Sequence, residues 1–531
     1  VLTITNDREY INYHEIFIPF PDVYNLGGPE VFKHLERKIE GERNLVMIPE
    51  GFLDSLDELK TENQFGGCSD VIDFLKDSSI RRIGNLPGKI INKIIDTRRI
   101  SEGLDVGIIH TDFKFDGLKS YEITNDIIKE WNLRELNPVF ITNKGIIHVR
   151  YSGLDLHIEE PKFLQVNEDI VNEGVITGNQ ELLAKLYENN GRLPLEKVVD
   201  ILDREIFHNQ FVRFIGQPDI YARTIGKLIE NKTKEIIDVK DRELILLAEK
   251  EYSKTIHLGS HTMDNIHGIA PLDMEQYLAM QYGLFNPNVG VMFICGSQGS
   301  GKTLLSYVAA IDLVLSYEKE MKLKRGQLNG KNKEGFFKQI VLLKPNEVLG
   351  GRRREVGFLK GSLYDKLKPH LDPYIDAHRE STLSDYFSFE ELIRHPKYDN
   401  DFGPKRSDDV NKMKINGNAY LPSHSEVFQV TYSGFMRGRS FRDTLLLLDE
   451  AQNFTPYEVK TIIERMGEGS KAIIMGDPMQ RDNPDCSIEI NGLTSAIKHY
   501  LPKNYTALVK LTKNYRHQAS KDASSWRVYS S

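Results

Sequence analysis

Cysteine is scarce in this chain: Cys68, Cys295 and Cys486 are the only three in 531 residues, and none belongs to a CxxC pair. That leaves no disulfide framework and no cysteine-based zinc site, and it suits a reducing compartment. Long apolar runs are missing too. No uninterrupted segment approaches the roughly 20 residues that a membrane-spanning helix needs. The opening "VLTITNDREY" lacks the basic-then-apolar layout of a signal peptide. Nor is there a surplus of positive charge. The formal net charge is −8, which argues against a uniformly basic nucleic-acid binder, although a local basic groove would not show in the total. Internal repeats and low-complexity tracts are absent. The expectation is a soluble, cytoplasmic protein without a membrane partner, long enough for two or three domains.

What is present changes character along the chain. Residues 1–165 mix short apolar runs such as "NLVMIP" and "PVFITN" with helical patterns such as "VFKHLERKIEGE", which predicts a small α/β domain. Residues 166–260 carry helical "NQELLAKLYENN", then "FVRFIG", then the charged stretch "KDRELILLAEKEYSK", which reads as helix; this part is a connector of mixed structure. Residues 261–531 are more regular. The runs "VGVMFICG", "QIVLLKP", "VFQVTY", "TLLLLDE", "KAIIMGD" and "TALVKLT" show little alternation, as strands covered on both faces do. A parallel sheet with helices on both sides follows, with 381–425 as an excursion between two strands.

"GSQGSGKT", residues 296–303, fills the G-x-x-x-x-G-K-[ST] pattern. Gly296, Ser297, Gln298, Gly299, Ser300, Gly301, Lys302, Thr303 and Leu304 would form a glycine-rich turn whose N–H groups wrap phosphates at the positive end of a helix. Lys302 would reach the β- and γ-phosphates of ATP, and the Thr303 hydroxyl would ligate Mg²⁺. "TLLLLDE" supplies a partner: Asp449 would hold the ion through water, and Glu450 would orient and deprotonate the attacking water. Gln480, in "GDPMQ", could sense the γ-phosphate, and Arg516, in "KNYRH", could contact the same charge. Scattered histidines, among them His110, His257, His261 and His267, show no ligand spacing.

The blocks "GSQGSGKT", "LLLLDEAQNFTPYEVKTIIERMGEGSKAIIMGDPMQRDNP" and "LTKNYRH" resemble the PhoH-like ATPases, a single-core relative of the superfamily 1 helicases. "PLDMEQYLAM", "KPNEVLGGRRREVGFLKGSLYDKLKPHLDPYIDA" and "MRGRSFRD" are similar to further signatures of that group, and together they cover about 265–520. The resemblance implies a RecA-like P-loop NTPase core in which Gln276 reads the adenine. Two departures stand out: Lys344-Pro345 where the family usually has Arg-Pro, and Lys360 where it has proline. The resemblance also implies a homo-oligomeric ring, a hexamer, because a lone core leaves its site to be completed by a neighbour. Arg437 and Arg439, or Arg352, Arg353 and Arg354, are candidates for an arginine supplied in trans.

Basic stretches point to single-stranded RNA or DNA as a partner. Residues 350–370 hold six lysines and arginines against two acids, and 322–338 hold six against one, with Phe336 and Phe337 nearby. Residues 20–165 resemble a worn PIN ribonuclease domain, with Asp22, Asp54 and Asp126 as acidic candidates. Ser55 falls at the glutamate position and Lys144 at the final aspartate. A lysine ammonium adds a repelling charge and no ligand, so a domain that keeps the fold without cleavage is favoured over an active nuclease. Three functions remain open: an ATPase remodelling single strands, an ATP-dependent ribonuclease, and an ATP-driven switch for a protein partner.

Overall fold

The computed structural model describes residues 2–6, 9–53, 56, 67–76, 81–82, 94–109, 138–144, 147–149, 156–216, 218–230, 236–258, 261–325, 337–345, 348–349, 352–353, 363–393, 414–415, 419–420, 427–432 and 440–525. Three main sheets follow one another along the chain.

The first has eight strands, ordered Arg81–Arg82, Ile94–Ser101, Leu104–Ile109, Arg43–Pro49, Glu9–Pro19, Val139–Ile141 and His157–Glu159, with Leu2–Asn6 paired onto Glu9–Pro19. Its centre is parallel, from Leu104–Ile109 across to His157–Glu159. Helices Pro21–Gly27 and Gly67–Lys76 place Val23, Tyr24, Val71 and Leu75 against Ile18, Val46, Ile48 and Phe140 in one core. The helix expected over "VFKHLERKIEGE" is shorter than its pattern: it spans Glu30–His34 and stops. The side-chain amide of Asn44 donates to the Leu35 carbonyl (2.7 Å), and Arg37 turns back to pair with Glu42 (2.8 Å), so local side chains take over where helix bonds would continue.

The second sheet runs Arg192–Pro194, Ile236–Leu246, Ile220–Glu230, Phe211–Phe214 and Val175–Thr177, antiparallel except for its last pair. This corrects the helical reading of "KDRELILLAEKEYSK". The stretch finishes the strand Ile236–Leu246 and then makes a 3-10 turn, Glu249–Ser253. The register slips between Ile225 and Lys227, and Asp241 sits at a left-handed φ of 50°. An extra residue in the strand breaks the period of two. The alternation that marks a strand is lost from the sequence while the strand itself persists.

The third sheet has six strands, all parallel, in the order Phe428–Tyr432, Gln339–Lys344, Thr444–Leu448, Lys471–Gly476, Val291–Gly296 and Thr506–Leu511. Val291–Gly296, Thr444–Leu448 and Lys471–Gly476 are buried at every residue. Alternate residues serve opposite layers. Met292, Ile294, Leu445, Leu447, Ile473 and Met475 meet Leu305, Val308 and Ile311 of helix Lys302–Arg325. Phe293, Cys295, Leu446, Leu448 and Ile474 meet Val459, Ile462, Leu493 and Ile497 of helices Pro456–Ile463 and Gly492–Tyr500. The fold is thus α/β with a P-loop NTPase core. The start of the expected 381–425 excursion belongs to this core: Leu383, Phe387 and Phe389 are buried, and Phe389 lies 6.1 Å from the Tyr307 ring.

The N-terminal sheet docks onto the core through helix Pro456–Ile463. The Tyr457 ring covers Gly28, where a Cβ would lie 2.5 Å from it, and its hydroxyl donates to Asp70. Asn25 donates to Asp485 (3.1 Å), and the Val166 amide donates to the Glu489 carbonyl (2.8 Å). The second sheet lies along the edge strand Thr506–Leu511, with Asn209 donating to the carbonyls of Asn504 and Thr506.

Candidate nucleotide site

In a doubly covered parallel sheet, ligands bind beyond the carboxyl ends of the strands, where the strand order switches direction. Val291–Gly296 ends there and passes through residues 297–301 into the helix that begins at Lys302. Gly299 (φ 77°) and Gly301 (φ 96°) hold left-handed backbone. A Cβ on Gly299 would meet Asn514 Oδ1 at 2.5 Å, so the loop needs glycine on both grounds. The Ser300 hydroxyl donates to Ser297 O (2.8 Å), and Lys302 Nζ lies inside the loop, donating to Gly296 O (2.5 Å) and Ser297 O (3.0 Å).

Two flanking segments brace the loop. Gln276 is buried, donates from Nε2 to Ser300 O (3.0 Å) and accepts from the Leu272 amide (2.8 Å). Arg516 donates to Gln298 Oε1 (3.2 Å), and the Tyr515 amide to Gly299 O (2.9 Å). Glu275 accepts from both the amide and the hydroxyl of Thr512, tying these braces to each other. Gln276 and Arg516 therefore both touch the loop.

Asp449 and Glu450 follow the buried strand Thr444–Leu448. Asp449 is buried; Oδ2 accepts from Lys344 Nζ (2.6 Å) and from the Tyr374 hydroxyl (3.0 Å), and Oδ1 from the Glu450 amide (3.0 Å). Burial pushes this carboxyl up, but the Lys344 ammonium and the two further donors outweigh it and hold it below its ordinary range. Glu450 moves the other way: burial and the Asp449 charge beside it raise its pKa, with the Gln452 hydrogen bond and then the Lys344 and Lys302 charges opposing. Its backbone is left-handed (φ 54°, ψ 44°), a conformation that a non-glycine residue holds only under constraint. Gln452 supplies part of that constraint, donating to Glu450 Oε2 (2.7 Å) and to the Gln480 carbonyl (2.6 Å). Gln480 in turn donates to Asp477 Oδ2 (3.0 Å).

A P-loop followed by a carboxylate pair at a neighbouring strand end is the setting for the comparisons with known proteins. The family model described as "PhoH-like protein" matches residues 330–526. Protein PhoH2 of Bacillus subtilis (strain 168) is 30% identical over 387 residues, which is 71% of this chain and 70% of that protein. The chain belongs to the PhoH-like family. A PhoH-like protein of the same organism is 29% identical over 320 residues, 58% of this chain and 78% of its own length. Protein PhoH2 of Thermobispora bispora is 24% identical over 218 residues, 41% of this chain and 38% of its own. PhoH-like proteins are a P-loop nucleotide-binding family, and the cradle around Lys302 has the geometry for a phosphate chain.

The donor set also fits a divalent ion. Thr303 offers a hydroxyl in the first helical turn, and among the described residues Asp449 Oδ1 receives one donor, leaving it a lone-pair direction for an ion or its water.

Other expected site residues fall elsewhere. Arg352 and Arg353 pair with Val348–Leu349 in a two-stranded ribbon. Arg354, Arg437 and Arg439 lie outside the described residues, as do Asp54 and Asp126. Asp22 is buried, with Thr142 donating to both its oxygens and the Asn143 amide to Oδ2 (2.7 Å). Burial raises its pKa, opposed by the Lys144 charge and by the hydrogen bonds from Asn143 and Thr142. Lys344, Tyr374, Gln452 and Glu275 were not anticipated as site residues. Lys344 had one signal, the departure from Arg-Pro.

Proposed function

We propose that this PhoH-like chain hydrolyses ATP with Mg²⁺, assembles as a homo-oligomeric ring, a hexamer, and couples turnover to binding, unwinding or remodelling single-stranded RNA or DNA in the cytoplasm. The observation that carries the reading is Glu450. It is a carboxylate of raised proton affinity, pinned by Gln452, beside Asp449 and within range of the Lys302 charge. Lys302 and the loop amides would bind the phosphates, and Gln276 would meet the adenine. Glu450 would take the proton of the attacking water, with Gln480 and Arg516 near the terminal phosphate. When bound, Mg²⁺ supplies charge neutralisation at the phosphate oxygens. An arginine from the neighbouring subunit, among Arg352, Arg353, Arg354, Arg437 and Arg439, would complete the site.

The N-terminal α/β unit is read as a PIN-like domain without nuclease activity, a reading supported by Lys144, whose positive charge acts on Asp22 and which offers no metal ligand. RNA cleavage that persists in Lys302→Ala but is lost in Asp22→Ala would reverse it. The main test is ATP turnover on size-fractionated protein with and without single-stranded RNA. Turnover in the high-mass fraction, stimulated by RNA and weakened by salt, is expected. Turnover indifferent to RNA and DNA would favour a protein-binding switch instead.

A further inference from the structure

Lys344 ends a buried strand with its own side chain buried, 8% exposed, and its ammonium 5.6 Å from the centre of the Tyr374 ring. Asp449 is its acidic partner, at 2.6 Å. A buried ion pair of this kind is costly to desolvate and is weak evidence of a contribution to stability. Its place in the site is therefore more informative than its strength. Asp449 Oδ2 has both lone pairs engaged, by Lys344 and Tyr374, and Oδ1 has one engaged by the Glu450 amide. Two consequences follow. The carboxylate is fixed in rotation, and among the described residues only Oδ1 keeps a lone pair able to face an ion. The pair is also close to neutral, so Asp449 itself contributes little net attraction to a divalent cation arriving alone.

We propose that Lys344 is a positioning residue that neutralises Asp449, so that the site accepts a divalent ion only together with nucleotide phosphates. The inference rests on the nucleotide reading above and deepens it. Phosphates bring the negative charge that Asp449, paired to Lys344, cannot offer. Metal without nucleotide then leaves the site empty and the Asp449 geometry intact. Tyr374 holds the orientation but carries no charge, so its loss and the loss of Lys344 have different effects.

The test is thermal stability and metal affinity of the full-length protein titrated with Mn²⁺ alone, then with ADP, and with both together. Wild type is expected to show no saturable response to Mn²⁺ alone and a clear one to Mn²⁺ with ADP. Lys344→Met removes the charge at similar size, and Lys344→Gln also keeps a hydrogen-bond donor. Either should tighten binding of Mn²⁺ alone at least about tenfold, a conservative figure for removing a unit charge some ångströms from the ion. Lys344→Arg should behave as wild type, and Tyr374→Phe should gain no such affinity. ATP turnover should fall in Lys344→Met more than nucleotide affinity does. If wild type binds ADP and yet Lys344→Met and Lys344→Gln respond to Mn²⁺ alone as wild type does, the role given to Lys344 is wrong. If wild type has no affinity for ADP with Mn²⁺, the nucleotide reading itself fails.

Discussion

Glu450 is where local preference and site geometry conflict. A glutamate gains nothing by itself from left-handed backbone, which glycine or asparagine would occupy more easily. It is held there by the buried strand before it and by Gln452 after it. Constraint of this kind is what a catalytic base requires, since the carboxylate must already stand where the water will be. Glu450→Gln should lower turnover by about 10²- to 10⁴-fold, with nucleotide affinity preserved in an equilibrium binding assay.

A second residue reports on pH. His208 is buried, and burial together with the Arg242 and Arg223 charges lowers its pKa to about 4. The unfolded histidine takes up its proton near pH ~6.5. Between these values the unfolded chain binds a proton that the folded chain refuses, so stability falls as pH drops from about 6.5 to about 4. The loss through this residue is on the order of 3 kcal/mol. Chemical denaturation at pH 7 and pH 4.5 should show a smaller difference for His208→Gln than for wild type.

Among elements, Lys471 links the start of one strand to the helical turn before the P-loop strand. Its ammonium donates to the carbonyls of Gly283, Leu284 and Asn286 at 2.6, 2.7 and 3.0 Å, where residues 279–284 end their helical run. Carbonyls at a helix end lack partners inside the helix, and this side chain supplies them. Lys471→Met would fill the space but orphan the carbonyls. It should cost about 2 kcal/mol or more in denaturant unfolding.

Elements also differ in how legible they were. The core strands could be read because both faces are covered, and "TLLLLD" admits little else. The phosphate loop could be read because its glycines, lysine and threonine each have a separate physical task. The strand Ile236–Leu246 could not, since the slip at Asp241 erased its alternation. Lys344 and Gln452 were missed for another reason. A lone lysine at the end of a strand and a glutamine after two acids are ordinary in sequence, and only the fold shows that their partners are Asp449 and Glu450.

For the molecule as a whole, contacts between distant segments are the least visible in sequence. Nothing near Gly28 announces that Tyr457 will lie against it, more than 400 residues away in the chain. Gly28 also has a left-handed φ of 57°, so substitution there is strained as well as blocked. Gly28→Leu should separate the N-terminal unit from the core. Limited proteolysis should then cut near residue 160 faster than in wild type, while nucleotide affinity, proposed to reside in the other unit, is retained. On the proposed function, the same division makes ATP turnover independent of the Asp22 pocket.

The central claim is that the C-terminal core binds and splits ATP at Lys302, Thr303, Asp449 and Glu450. Phosphate release from Mg²⁺–ATP, measured with single-stranded RNA present for wild type, Lys302→Ala and Glu450→Gln, tests it most directly. The account predicts steady turnover by wild type and release at background level by both variants. Release by Lys302→Ala equal to wild type, or none from folded wild type, would contradict it.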